Sequence, residues 1–113
     1  MHELSLCRAL LDTLEQGAAE HGYRRVTGVR LEIGPFAAVD AEALRFAFEV
    51  ARADTLAAGA WLEILTPRAL ARCGNCGREV EPVQRFDPCP HCGGYALELL
   101  SGDALRIKEL EVA

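Results

Sequence analysis

The chain has 113 residues, half of them hydrophobic and 26% charged, which suits one modest globular domain with at most a small satellite. Its formal charge is −5, whereas proteins that live on DNA or RNA cluster Lys and Arg to replace phosphate counterions, so nucleic-acid binding is disfavoured. No apolar run approaches the roughly 20 residues that span a bilayer. The opening Met1-His2-Glu3-Leu4-Ser5 lacks the basic and apolar blocks of a secretory signal. The expectation is a cytoplasmic protein with neither a membrane nor a nucleic-acid partner.

Residues 3–21 predict a helix, because Leu4, Cys7, Leu11, Leu14 and Ala18 recur at three- and four-residue steps with Leu10 beside them. Gly22 is a suitable stop. Val29, Leu31 and Ile33 then alternate with Arg30 and Glu32 as in a half-buried strand, which Gly34-Pro35 ends. Asp40 is a good N-cap for a second helix that carries Leu44, Ala47, Phe48 and Ala51 at helical spacing, with Phe46 and Val50 flanking them. Residues 60–66 predict a second strand and residues 104–112 a third. The third begins with Leu105 and Ile107 in phase, then shifts to Leu110 and Val112, which predicts a bulge or a change of partner.

Between the last two strands, residues 72–93 are rich in glycine, proline and cysteine and lack a periodic apolar face. They read as an insertion. The fold class expected is therefore α+β: a small three-stranded antiparallel sheet with two helices, plus an inserted four-cysteine module resembling a zinc ribbon. The domains expected are an α/β domain of residues 1–71 and 94–113 and a metal-binding domain of residues 72–93.

Cys73-Gly-Asn-Cys76-Gly and Cys89-Pro-His-Cys92-Gly lie twelve residues apart, counted between Cys76 and Cys89. Two residues between cysteines let both sulfurs reach one ion from a tight turn, and the following Gly77 and Gly93 accept the positive φ such turns need. Two knuckles complete a tetrahedral thiolate shell that suits zinc and, because it is closed, keeps no position open for catalysis. The Cys-Pro-X-Cys-Gly turn also resembles a rubredoxin knuckle, so iron is the rival metal. His91, inside the second knuckle, reads as an exposed turn residue in preference to a ligand. Cys7 lies on the apolar stripe of the first helix and reads as a core thiol rather than a reactive one.

The N-terminus carries a different donor set. The bulky His2 disfavours removal of the initiator methionine. The α-amine of Met1, the backbone nitrogen and imidazole of His2, and the backbone nitrogen of Glu3 can close chelate rings around one ion. A square-planar nitrogen field suits Ni(II) or Cu(II) better than zinc. Taken alone, His2 reads as a solvated terminal residue in preference to a ligand, and it is the neighbouring features that raise the metal reading.

Over essentially its whole length the chain resembles the HypA/HybF family of hydrogenase maturation (nickel incorporation) proteins. The resemblance rests on Met1-His2-Glu3-Leu4-Ser5, on Val29-Arg-Leu-Glu-Ile-Gly34, and on Glu42-Ala-Leu-Arg-Phe-Ala-Phe-Glu49. It continues in Gly59-Ala-Trp-Leu-Glu-Ile64, the two cysteine knuckles and Leu105-Arg-Ile-Lys-Glu-Leu-Glu-Val112. It implies nickel as transient cargo at His2 with nearby backbone nitrogens, structural zinc at Cys73, Cys76, Cys89 and Cys92, and Asp40 close to the nickel site. It implies a metallochaperone that delivers Ni(II) to [NiFe] hydrogenase, in some organisms also to urease. The partners implied are the hydrogenase-maturation GTPase and the hydrogenase large subunit, with the choice between monomer and homodimer left open. The polar side of the first helix, with Glu3, Arg8, Asp12, Glu15 and Gln16, is the contact surface expected for the GTPase.

No nucleophile–base pair or phosphate-binding glycine loop is present in the sequence, so an enzyme is not expected. The alternatives are a zinc-ribbon module for protein interaction or nucleic-acid association, betrayed by salt-dependent nucleic-acid binding, and a rubredoxin-like electron carrier, betrayed by the colour of an iron tetrathiolate.

Overall fold

The computed structural model describes residues 2–113, with side chains from Glu3 onward. In chain order the elements are α1 (His2–His21), β1 (Val26–Ile33), α2 (Ala41–Ala51), β2 (Trp61–Leu65), β3 (Leu70–Cys73), β4 (Glu79–Val80), β5 (Leu97–Ser101) and β6 (Leu105–Val112). They build two three-stranded sheets, ordered β2–β1–β6 and β4–β3–β5. The chain divides into two compact units: Met1–Leu31, Val39–Leu65 and Ile107–Ala113 in the first, Glu32–Ala38 and Thr66–Arg106 in the second.

In the first unit α1 packs against α2. Cys7, Leu10, Leu11 and Leu14 are buried from α1, and Leu44, Ala47 and Phe48 from α2. Leu4, read from the sequence as part of the apolar stripe, is instead 42% exposed, and Phe46 and Val50 stand out in solvent. Arg8, Asp12, Glu15 and Gln16 form an exposed polar side of α1. Asp40 caps α2 by accepting hydrogen bonds from the backbone N–H groups of Glu42 (3.0 Å) and Ala43 (3.2 Å).

Strand β1 begins earlier than its alternation suggests, at Val26. Arg25 and Ala113 exchange backbone hydrogen bonds of 3.2 and 2.9 Å, and Gly34 N–H donates to the Ala104 carbonyl at 3.0 Å, so β1 and β6 run antiparallel. Ala104 and Ala113 both turn their backbones towards β1 yet are separated by an odd number of steps. A regular strand alternates, so β6 changes parity once, as its apolar pattern anticipates. Lys108 and Glu109 are consecutively exposed, between half-buried Ile107 and Leu110. The same bonds require a matching change in β1, where Val26 and Val29 are both buried. Gly28 lies between them, and a Cβ there would come within 2.0 Å of the Trp61 ring. Arg30, also on β1, stacks over that ring with its guanidinium 5.4 Å from the centroid, and pairs with Glu63 of β2 and with Glu109 of β6 at 2.6 Å.

In the second unit β3 pairs antiparallel with both neighbours, opposing Ala71 to Val80 on one side and to Leu99 on the other. Sequence reading did not anticipate this sheet. The strands hold only four, two and five residues, too short to show a period, and their burial depends on partners far along the chain. The cluster packed under this sheet is correspondingly small: Ala71, Cys73, Val80 and Cys89, with Leu97 against it. One close backbone passage ties the unit's separate segments together. A Cβ on Gly34 would lie 2.2 Å from the Gly102 carbonyl oxygen, and Gly102 itself has φ 112° and approaches Ala69. Among the described residues no helix is long and apolar enough to cross a membrane.

Candidate metal centres

Each cysteine knuckle is made by purely local geometry, and the two are alike. Cys73 N–H donates to the Arg78 carbonyl (2.9 Å) while Gly77 N–H returns to the Cys73 carbonyl (2.8 Å); Cys89 N–H donates to Gly94 (2.8 Å) while Gly93 N–H returns to Cys89 (2.8 Å). Gly77 and Gly93 have φ of 78° and 74°, the left-handed conformation that makes glycine the natural residue after each pair. Cys73 closes β3, and Gly74 N–H donates to the Ala96 carbonyl (2.8 Å) just before β5, so the first knuckle is anchored to the second sheet.

The sulfurs of Cys73, Cys76, Cys89 and Cys92 all lie within 4.8 Å of one another. The separations Cys73–Cys92 and Cys76–Cys89 are 3.6 and 3.7 Å. A tetrahedral zinc thiolate with Zn–S near 2.3 Å has sulfur–sulfur edges of about 3.8 Å, so this donor set fits a tetrahedral zinc ion in both chemistry and spacing. Cys73 and Cys89 are buried and Cys76 and Cys92 exposed. The ligand shell is therefore rooted in the core of its unit and open to solvent on its far side.

Hydrogen bonds favour thiolates at two positions. Cys92 is held at a pKa of about 6, chiefly by the Asn75 side-chain amide at 3.5 Å and then by the backbone N–H of Gly94. Cys73 is lowered by the backbone N–H groups of Cys76 and Asn75, each 3.4 Å from its sulfur. For Cys76 the backbone N–H of Arg78 pulls down, but burial and the neighbouring sulfurs outweigh it and push the thiol up to about 11. Four thiolates cannot crowd together without a cation, so a divalent ion is the natural way to ionise the whole set. Asn75 was not singled out in the sequence. The only signal was its position inside the first knuckle, where a side-chain amide can reach the opposite sulfur. His91 is exposed and does not belong to the converging set.

Of the N-terminal donors, Met1 and the His2 side chain lie outside the described residues. Glu3 stands in the first turn of α1, where backbone N–H groups have no intrahelical acceptor. Its carboxylate accepts a hydrogen bond from the backbone N–H of Asp40 at 3.4 Å. The fold thus brings Glu3 and Asp40, two residues picked from the sequence for separate reasons, to one place at the start of both helices. The Asp40 carboxylate serves as the α2 cap there. Cys7 is fully buried, with its thiol 3.6 Å from the Leu44 carbonyl, and burial, aided by the charge of Glu3, raises its pKa.

Two helices with a three-stranded sheet, and a second small sheet bearing a closed four-sulfur centre, define a small metal-binding α+β protein. A family model described as hydrogenase/urease nickel incorporation, metallochaperone, hypA matches residues 1–112, and the chain belongs to that family. Among its relatives, the hydrogenase maturation factor HypA of Alkalilimnicola ehrlichii is 49% identical over 112 residues, covering 99% of each chain. That of Azotobacter chroococcum is 48% identical with the same coverage. The solution structure of the Ni metallochaperone HypA from Helicobacter pylori shares the fold, with a TM-score of 0.74 at 24% identity over 99% of this chain and 97% of that one.

Proposed function

We propose that this chain carries Ni(II) on an N-terminal site and hands it on during [NiFe] hydrogenase maturation, and that zinc at Cys73, Cys76, Cys89 and Cys92 serves only to hold the second unit in shape. The observation that carries the reading is the closed sulfur tetrahedron in a member of a nickel-incorporation family. Four thiolates saturate a zinc ion, so a cargo ion needs a second, exchangeable site of different chemistry. The nickel ligands proposed are the His2 imidazole, the Met1 α-amine and the backbone nitrogens of His2 and Glu3, with Asp40 nearby as cap and outer neighbour. Amine, amide and imidazole nitrogens form the planar field that Ni(II) prefers and zinc does not. Proximity of Glu3 to Asp40 supports the choice, because two carboxylates beside the site offset the repulsion of a cation by two helix N-termini.

In this reading the chain turns over no substrate itself. It works in the cytoplasm with a maturation GTPase and the hydrogenase large subunit, and the exposed side of α1 with Arg8, Asp12, Glu15 and Gln16 meets the GTPase. Residues 1–71 and 94–113 act as the nickel-binding part and residues 72–93 as the zinc-binding part. The test is metal titration of the untagged chain, of His2→Ala and of a form extended ahead of Met1. The expected result is one zinc in all three, one Ni(II) in the native form, none in His2→Ala, and weaker or spectrally altered nickel binding in the extended form. Since amine and amide nitrogens must lose protons to bind, nickel affinity should fall as pH falls. Normal nickel binding by His2→Ala would sink the N-terminal assignment.

A further inference from the structure

The four sulfurs of the metal centre are not equally guarded. Cys73 and Cys89 are buried, which leaves Cys76 and Cys92 as the two that solvent reaches. The knuckles match place for place: Asn75 with His91, Gly77 with Gly93 and Arg78 with Gly94. In keeping with that match, each exposed sulfur receives one backbone N–H, Cys76 from Arg78 and Cys92 from Gly94. The symmetry ends at the side chains. Asn75 Nδ2 reaches across from the first knuckle and donates to the Cys92 sulfur at 3.5 Å. Among the described residues no side-chain N–H does the same for Cys76, and His91, in the matching place, makes no such bond.

The Asn75 amide is firmly seated. The backbone N–H of the same residue donates to the Cys73 sulfur at 3.4 Å, so Asn75 is tied to the first knuckle while its side chain serves the second. Gly94 leaves the room this needs: a Cβ there would stand 3.4 Å from the Cys92 sulfur and 3.5 Å from Asn75 Nδ2. A thiolate on zinc keeps negative charge, so a hydrogen bond to it is charge-assisted and also fixes the direction of the ligand. The electron density engaged by a donor is less available for attack on an electrophile. With two donors against one, Cys92 is the weaker nucleophile of the exposed pair.

We propose that Asn75 is a positioning residue of the zinc centre: its amide ties the two knuckles through Cys92 and damps that sulfur, so that Cys76 is where the loaded centre first yields to an electrophile. This rests on the zinc reading of the four-sulfur set. With iodoacetamide the Cys76 sulfur forms an S–C bond as the C–I bond breaks, and iodide leaves with the electron pair. The product is a neutral thioether, a far poorer zinc ligand than a thiolate, so alkylation there precedes loss of the ion.

The test is brief alkylation of the zinc-loaded full chain with less than one equivalent of iodoacetamide, the modified cysteine being located by peptide mass spectrometry and zinc release followed with a chromogenic chelator. Zinc per chain is counted beforehand, so a failure of the zinc reading shows as missing zinc, whereas the order of labelling tests the proposal itself. Cys76 should be labelled ahead of Cys92 in the native chain. Asn75→Ala should speed labelling of Cys92 by roughly five- to tenfold, as expected when about half of a charge-assisted hydrogen bond is lost from the barrier. Asn75→Asp keeps the shape and removes the donor, so it should do the same. If Asn75 merely covers the sulfur, Asn75→Asp will behave like the native chain. Should Asn75→Ala lose its zinc, seen as labelling at Cys73 and Cys89 as well, the native order and the Asn75→Asp variant still decide. Labelling of Cys92 before or together with Cys76 in the native chain, or an Asn75→Asp variant with the native order and rates, overturns the proposal.

Discussion

Withdrawing the metal from the four-sulfur centre should unfold the second unit and leave the first intact. The reasoning starts from the size of that unit's core. The cluster under its sheet has four buried members: Cys73 and Cys89, whose sulfurs belong to the four-sulfur set, and Ala71 and Val80, with Leu97 half-buried against them. Full burial of a Val or Leu side chain contributes only about 2 kcal/mol, whereas structural zinc in small cysteine modules contributes roughly 10–16 kcal/mol at neutral pH. The metal therefore outweighs any single apolar side chain of that cluster. Chelation, or Cys89→Ser, should remove amide-exchange protection at Ala71, Arg72, Glu98 and Leu99, the paired positions of β3 and β5. Amides of Val29 and Leu31 in the first unit should keep theirs, because their core of α1, α2 and β1 side chains contains no metal ligand. Cys92→Ser, at an exposed sulfur, should be the milder change. Protection at Ala71 and Leu99 that survives in metal-free protein would refute the argument and show that the strand pairs alone hold this sheet.

Asp40→Ala should lower stability by about 1 kcal/mol through loss of the α2 cap, read as a shift in the denaturation midpoint of the first unit with zinc content unchanged. Gly34→Ala should cost about 1–3 kcal/mol, an overpacking penalty, because its Cβ would meet the Gly102 backbone at 2.2 Å and neither chain segment is a flexible side-chain end; a neutral result in thermal melts would mean that passage is looser than described. The Cys7 thiol, raised above 9.0 by burial first and by Glu3 second, should resist alkylation in the folded protein. Its ionisation is easier in the unfolded chain, so its contribution to stability is complete below pH 9 and is lost as pH rises through the folded value. Stability that rises over that alkaline range for the native chain relative to Cys7→Ala would contradict this.

What the sequence determined by itself is what short-range chemistry determines. Cys-X-X-Cys-Gly closes its own turn through bonds that never leave six residues, so both knuckles were legible, glycines included. The helices declared themselves by apolar spacing and by the Asp40 cap, and the parity change of β6 showed in the order of its apolar residues. What the tertiary structure decided are relations between residues far apart in the chain. It set Glu3 beside Asp40, made a sheet from β3, β4 and β5 by opposing Ala71 to Leu99, and left Leu4 exposed although its spacing matched the buried stripe. It also aimed the Asn75 amide at the sulfur of Cys92. The physical reason is the same in each case: a turn or a helix face is specified by neighbours within a few residues, whereas a strand of four residues, a cross-chain hydrogen bond or the end of an apolar stripe acquires its energy only when its distant partner arrives.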